Sequence, residues 1–362
     1  MQCSSTFDKN TMLKIKNPQL RLLEKLTTAI AVSGDEGEIR KLIRAEIEDI
    51  ADEIKIDAMG NLLVTKRGKG RNRLKVMLAA HMDEIGMMLV NKESDGIFQF
   101  DTIGGIDPRQ LVGKPVIVGR EKIAGVIGTT PIHLVSAGER NGKIPLTSLR
   151  IDVGLGKPKV KVGDRATFAT KFLRIGDSIR AKALDDRLGV AILIELLKNA
   201  PANIDLLAAF TVQEEVGLRG AKVAAHALNP DLALAIDSTP AYDMPMHDGS
   251  ENIRYNTKLG AGPAIYTVDG RTLSDPRIIR WLSETGDAKK IPYQYRQPGG
   301  GGTDAGSIHL SRAGIPTGSV SVPGRYAHTA MGLCRIKDWE NTLNLLHAAL
   351  SNLSPKLLKD PR

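Results

Sequence analysis

The chain has 362 residues, of which 42% are hydrophobic, 25% charged and only 4% aromatic, with a net charge of +9. That length supports a sizeable core and two domains, and the balance is ordinary for a globular protein. No apolar run approaches the ~20 residues of a membrane helix, and the polar residues 1–18 lack the apolar core of a signal peptide; the Lys and Arg are dispersed and lack a stacking platform, which argues against a nucleic-acid partner.

Cys3 and Cys334 lie far apart and neither belongs to a C-x-x-C, so both are expected as unpaired thiols in a reducing, cytoplasmic compartment. Leu20, Leu23, Leu26 and Ile30 recur at helical spacing. After a turn at 33–37, a second helix is predicted over 38–50, with Ile39, Leu42, Ile43, Ile47 and Ile50 on one face. Residues 54–57 and 62–65 read as a hairpin around Gly60-Asn61. The basic cluster at 66–73 carries two glycines and reads as a solvated turn. Residues 74–80 are an apolar run, the mark of a strand buried on both faces, and it ends on His81.

From 87 to 172 short β-prone runs alternate with turn signals at Asp95-Gly96, Gly104-Gly105 and Asn141-Gly142, with no long helical period. This texture predicts a small β-barrel-like domain over 87–172, inserted into a main domain made of 1–86 and 173–362. At Ala181 an α/β texture resumes. Asp185-Asp186-Arg187 opens an apolar helix, where acids suit the positive N-terminal end. Residues 206–212 form another buried strand, which leads into Gln213-Glu214-Glu215-Val216-Gly217 and a helix. Residues 232–236 are a further strand, ending on Asp237, followed by a Gly- and Pro-rich loop over 240–263 and a helix near 276–284. Four glycines at 299–302 lead into Thr303-Asp304-Ala305-Gly306 and a short helix. Residues 315–322 read as a last central strand, followed by Arg325-Tyr326-Ala327-His328. The closing helix carries Trp339, Leu343, Leu346, Leu350 and Leu353. The predicted fold class is α/β, a mostly parallel sheet flanked by helices with the β domain inserted.

Ligands and catalytic groups gather at the carboxyl ends of strands in such sheets. His81, Glu214, Glu215, Asp237 and His328 all stand at or just past such ends, and Asp185 opens a helix expected to pack on the same sheet. Adjacent acids repel unless something positive lies beside them. A metal with one acid as ligand and the other as proton acceptor resolves the repulsion of Glu214 and Glu215. Two imidazoles and three carboxylates are what a pair of divalent cations needs, and such a pair activates a water and polarises a carbonyl. Taken singly, each residue has an ordinary explanation: a hydrogen-bonded core histidine or an N-capping aspartate. Four strand endings at one edge carry more weight, because strand packing does not call for acids and histidines there. His133, His226, His247, His309 and His347 lack this context and are not counted as ligands.

Ala80-His81-Met82-Asp83-Glu84-Ile85-Gly86 resembles the metal motif of the tetrahedral (TET) aminopeptidases, which include glutamyl and deblocking aminopeptidases and members once labelled cellulase M. Matching segments recur along nearly the whole chain, among them Ser33-Gly34-Asp35-Glu36, Asp57-Ala58-Met59-Gly60-Asn61, Gly104-Gly105-Ile106-Asp107-Pro108, Gly125-Val126-Ile127-Gly128, Ala183-Leu184-Asp185-Asp186-Arg187, Gln213-Glu214-Glu215-Val216-Gly217 and Gly302-Thr303-Asp304-Ala305-Gly306. The resemblance implies a phosphorylase/hydrolase-like fold of the zinc-exopeptidase type. It also implies two divalent ions per subunit, zinc or cobalt, and removal of N-terminal residues from peptides. Under it Asp185 bridges the two metals, His81 and Asp237 complete one site, and Glu215 and His328 complete the other. Glu214 is then the general base, acting on a water between the metals, and Asp83 tunes the site through His81. The inserted domain resembles a dimerisation domain whose dimers build a hollow tetrahedral dodecamer; neither nucleic acid nor membrane is an expected partner. Thr329-Ala330 departs from the family's usual Ser-Pro. The stretch Ser238-Thr239-Pro240-Ala241-Tyr242 and the four glycines are also individual, so side-chain preference is left open. Rival readings are a dinuclear deacylase or carboxypeptidase, a metal-free glycoside hydrolase (cellulase type) with two carboxylates, and a non-catalytic shell or binding protein.

Overall fold

The hydrophobic periods of the chain resolve into a mixed sheet of eleven strands and a separate closed barrel of six. The computed structural model describes residues 12–136, 138, 142–156, 159–250, 252, 257–296 and 299–362. Cys3, most of the polar N-terminal stretch, Asn141 of the predicted turn and parts of the 240–263 loop lie outside the described residues. No helix among them is long and apolar enough to cross a membrane.

Two amphipathic helices, α1 (Asn17–Thr28) and α2 (Gly37–Ile47), precede the hairpin β1 (Glu53–Ile56) and β2 (Leu62–Lys66) and the buried strand β3 (Leu74–His81). The barrel follows with β4 (Gly86–Ser94), β5 (Ile97–Ile103), β6 (Pro115–Val118), β7 (Ile123–Gly128), β8 (Arg150–Asp152) and β9 (Arg165–Phe168). The chain returns through β10 (Leu173–Ile175) and β11 (Ser178–Ala181) into α3 (Leu184–Lys198). Then come β12 (Ile204–Thr211), α4 (Arg219–Leu228), β13 (Leu232–Pro240), β14 (Ala264–Tyr266), α5 (Pro276–Lys289) and β15 (Gln294–Arg296). The last elements are α6 (Ala305–Ile308), β16 (Thr317–Arg325), β17 (Gly332–Arg335) and α7 (Ile336–Asn352).

The main sheet runs β1-β2-β12-β3-β13-β16-β17-β11-β10, with β14 and β15 beside β16. Its centre, β12, β3, β13 and β16, is parallel, and β2 and β17 pair antiparallel on its flanks. Alternation divides the central strands between two cores. Val76, Leu78 and Ala80 of β3 face the larger cluster with Leu23, Leu26, Ile43, Leu193 and Leu346 from four helices. Met77 and Ala79 face a smaller one with Ala221, Ala224 and Ile308. Thr211 pairs with His81, and Ala235 with Ala79, so Asp237 and His81 each lie two residues past that shared rung. The parallel register thus sets four chain ends level at one edge.

The barrel closes in the order β4-β5-β8-β7-β6-β9, which leaves no free strand edge. Its own core holds Met87, Leu89, Phe98, Phe100, Val116, Ile127, Ile151 and Phe168. Glu84 ties barrel and sheet together. Its carboxylate accepts from Lys182 Nζ at 2.8 and 2.7 Å, from Thr167 of β9 at 2.9 Å and from the Ala31 backbone at 3.0 Å. Burial works to raise its pKa, but the charges of Lys182 and Arg187 outweigh burial and hold it below the usual value. A buried ion of this kind is tolerated only because each of its oxygens is satisfied.

Candidate active site

Of the six residues singled out at the sheet edge, His81 ends β3, Glu214 and Glu215 follow β12, His328 lies in the loop after β16, and Asp185 stands at the entry to α3. Asp237 lies within β13 rather than at the strand end expected from the sequence, because the ladder with β16 continues to Pro240. β3 ends on His81, which is 2% exposed. The chain enters α3 irregularly: Ala183 is left-handed, and Asp185 and Asp186 depart from helical angles. The two acids divide the work of that entry. Asp186 accepts the His81 backbone N–H at 3.2 Å and that of Gly189 at 3.0 Å, so it caps the helix and pins β3. Asp185 is turned instead towards the imidazoles, with Oδ1 3.1 Å from His81 Nε2 and Oδ2 3.7 Å from His328 Nε2.

Past β12, Gln213 takes a left-handed conformation and breaks the strand alternation. This turn brings Glu214 and Glu215 into one neighbourhood although they are successive residues. Asp83 holds the turn from below. Its Oδ1 accepts the Glu214 N–H at 3.0 Å and its Oδ2 that of Glu215 at 3.3 Å, while Ser33 Oγ donates to Oδ2 at 2.6 Å. Its carboxylate stands 3.5 Å from His81 Nδ1, whereas its backbone carbonyl is nearer that nitrogen at 3.1 Å. Glu215 Oε2 lies 3.4 Å from His328 Nε2, and Asp237 Oδ1 lies 3.9 Å from His81 Nε2.

Two sets of potential ligand atoms lie within 4.8 Å of one another: His81, Asp185 and Glu215, and His81, Asp186 and Asp237. His328 stands 44% exposed at the mouth, against 3% for the His81 side chain. His309, by contrast, turns its Nδ1 to the Ala305 carbonyl at 2.8 Å.

Burial pushes Glu214, Glu215 and Asp237 well above the usual carboxylate range; neighbouring acids push the same way and the charge of His81 pulls each back. Burial acts the same way on Asp185, but the hydrogen bond and charge of His81 overcome it and bring it to about 2. For His81 burial favours the neutral ring, yet Asp185 and Asp83 together raise it well above the ordinary value. Of the nearby cations, Lys182 is bonded to Glu84, and Arg187 lies 3.6 Å from Glu84 while its charge also acts on Asp83 and Asp186.

This donor set fits divalent cations. Both imidazoles direct Nε2 at the acids while Nδ1 faces a carbonyl, of Asp83 for His81 and of Gly105, at 2.9 Å, for His328. A carbonyl partner selects the tautomer with a lone pair on Nε2, the orientation typical of metal-ligating histidines. The crowded carboxylates supply the negative charge that such cations need.

Three contributors escaped the sequence reading of roles. Ser33 orients Asp83. Asp304, pushed up to about 6 chiefly by burial, accepts from Thr211 Oγ1 at 2.5 Å beneath the turn. Gly105 brings barrel backbone to His328. A Cβ there would stand 3.1 Å from His328 Nδ1, a tight contact that a glycine avoids. The Gly104-Gly105 and Thr303-Asp304 signals were visible in the chain, but only as a turn and a loop.

The sequence profile of a family described as M42 glutamyl aminopeptidase matches residues 60–345. A putative aminopeptidase of Acetivibrio thermocellus is 38% identical over 335 residues, covering 91% of this chain and 97% of the relative. Among solved structures, an aminopeptidase of the archaeon Desulfurococcus kamchatkensis superposes with a TM-score of 0.88 at 35% identity, covering 94% of this chain and 97% of its own. The TET1 peptidase of Pyrococcus horikoshii, which can assemble into a tetrahedron or a large octahedral shell, gives a TM-score of 0.81 at 35% identity, covering 92% and 100% of the two chains.

Proposed function

The chain belongs to the M42 glutamyl aminopeptidase family and is a divalent-metal-dependent aminopeptidase, and we propose from this premise that its site holds two cations and works through a single carboxylate base. Family membership supports this reading over the deacylase, carboxypeptidase, glycosidase and non-catalytic ones. The observation that carries the proposal is the position of Asp185 between two half-sites, 3.1 Å from His81 and 3.7 Å from His328. His81 and Asp237 would hold one ion, Glu215 and His328 the other, and Asp185 both. Zinc or cobalt suits these donors, and a bound pair supplies the Lewis acidity that polarises a scissile carbonyl and acidifies a water.

Glu214 is the proposed base. Its carboxylate takes a proton from the attacking water and passes it to the leaving amide nitrogen, so the peptide bond breaks as the new carbon–oxygen bond is completed. Asp83 and Ser33 fix the backbone from which that carboxylate projects. The acids at the mouth also suit the α-ammonium group of a peptide. Matched peptides with free and acetylated N-termini test the reading. The free forms are expected to lose residues one at a time, with a chelator abolishing turnover and zinc or cobalt restoring it. Rapid cleavage at internal bonds of the acetylated forms would sink it.

The domain division 1–86 with 173–362 and 87–172 also enters the proposal, with the barrel as the dimer contact. Its support is exposed apolar surface: Ile132 is 70% exposed, Leu134 69% and Leu155 86%. By similarity to the TET1 peptidase, dimers would build a tetrahedral dodecamer. Ile132→Asp with Leu134→Asp is expected to give a smaller species by light scattering; an unchanged mass would place the contact elsewhere.

A further inference from the structure

Asn61, which closes the segment Asp57-Ala58-Met59-Gly60-Asn61, is fully buried against the loop that carries Glu214 and Glu215. The β2–β12 ladder ends at the pair Leu62–Phe210, and the side chain of Asn61 takes over from it. Its Oδ1 accepts the Val212 N–H at 3.0 Å, and its Nδ2 donates to the Gly220 carbonyl at 3.0 Å. Val212 and Gly220 are the two sides of the loop's neck, which the Gly220 N–H also closes by donating to the Val212 carbonyl at 3.0 Å. The other N–H of the Asn61 amide goes to Asp57 Oδ2 at 2.6 Å, while Asp57 Oδ1 accepts the backbone N–H groups of Met59, Gly60 and Asn61. Asp57 thereby fixes which way the amide faces, since a reversed amide would set like groups against all three partners. A Cβ on Gly220 would collide with Asn61 Oδ1 and with the Val212 backbone, so the bracket requires glycine there.

Between the two sides of the neck the backbone is strained. Gln213 and Leu218 are left-handed, with φ of 55° and 56°, and neither is glycine. Such conformations persist only where the surrounding structure over-determines them. Asp83 supplies that constraint at the N–H groups of Glu214 and Glu215; Asn61 supplies it at the neck. We propose that Asn61 is a positioning residue for the reaction: by bracketing Val212 and Gly220 it fixes the loop from which the Glu214 carboxylate meets the water. The inference rests on the reading of Glu214 as the base. A displacement of about 1 Å in a reacting group can cost on the order of 10²-fold in rate. The cost falls on turnover, because the side-chain bonds of Asn61 go to Asp57, Val212 and Gly220 and to none of the proposed ligands.

The test places Asn61→Ala and Asn61→Ser in the unmodified full-length chain and in Glu214→Gln. kcat, KM, metal content and the melting transition are measured on zinc-loaded protein with one free-amine peptide, at high enzyme concentration for the slow variants. Asn61→Ala is expected to lower kcat about tenfold or more, with KM within about twofold and metal content unchanged. Asn61→Ser, which keeps one polar atom at the neck, is expected to lose less, and it carries the same comparison if Asn61→Ala does not fold. In Glu214→Gln the same substitutions are expected to cost less than about twofold, since no base is left to misplace. A merely structural role would not produce that non-additivity. An unchanged kcat, an equal loss in both backgrounds, or a loss confined to KM or to metal content would overturn the role of Asn61 and leave the base in place. Full activity in Glu214→Gln alone would overturn the reading of the base, and this inference with it.

Discussion

Glu214→Gln is expected to lose activity by ~10²–10⁴-fold, the usual scale for a general base, while keeping its full metal content. The substitution preserves shape, and the Glu214 N–H bond to Asp83 is a backbone contact that survives it. Only the ability to accept a proton is removed. Glu214 belongs to neither set of close ligand atoms, so elemental analysis should find no change, and added zinc or cobalt should restore nothing. Its neighbour provides the contrast. Glu215 Oε2 stands 3.4 Å from His328 Nε2, so Glu215→Gln should weaken one half-site and be rescued in part by added metal. A Glu214→Gln protein that loses metal, beside a Glu215→Gln protein that keeps it, would reverse the two assignments.

The second large effect is expected at Asp185. Asp185→Ala should strip both half-sites together and leave turnover undetectable, because one carboxylate serves both imidazoles, at 3.1 and 3.7 Å. Loss of an outer partner of a ligand typically costs 10–100-fold in metal affinity; removal of a shared ligand should cost more. The fold should survive, since it is Asp186 that caps α3 through Gly189 and pins the backbone of His81. The measurement is metal content after dialysis, with the melting transition as control. A variant that retained both ions and full activity would end the proposal that Asp185 is shared.

The adjacency of Asp185 and Asp186 illustrates how far the chain could be read unaided. Both acids open the same helix and look alike in sequence. Only the irregular entry into α3 gives one of them to the backbone and the other to the imidazoles. Glu214 and Glu215 repeat the lesson: strand alternation would point them to opposite faces, and the left-handed turn at Gln213 decides otherwise.

By itself the sequence determined the α/β class, the inserted β segment, the buried strands and the edge at which histidines and acids gather. These follow from local pattern: apolar runs, helical spacing and turn signals act over a few residues and need no partner. Tertiary structure decided the rest. It set the strand order that places β3 between β12 and β13, and so put His81 beside Asp237 and Thr211. It brought the Gly105 carbonyl from the barrel to His328 across more than two hundred residues of chain, and it gave Asp83 the two N–H groups of the Glu214–Glu215 turn. Directional contacts of this kind depend on angles accumulated over the whole fold, whereas hydrophobic periodicity is written in the residues themselves.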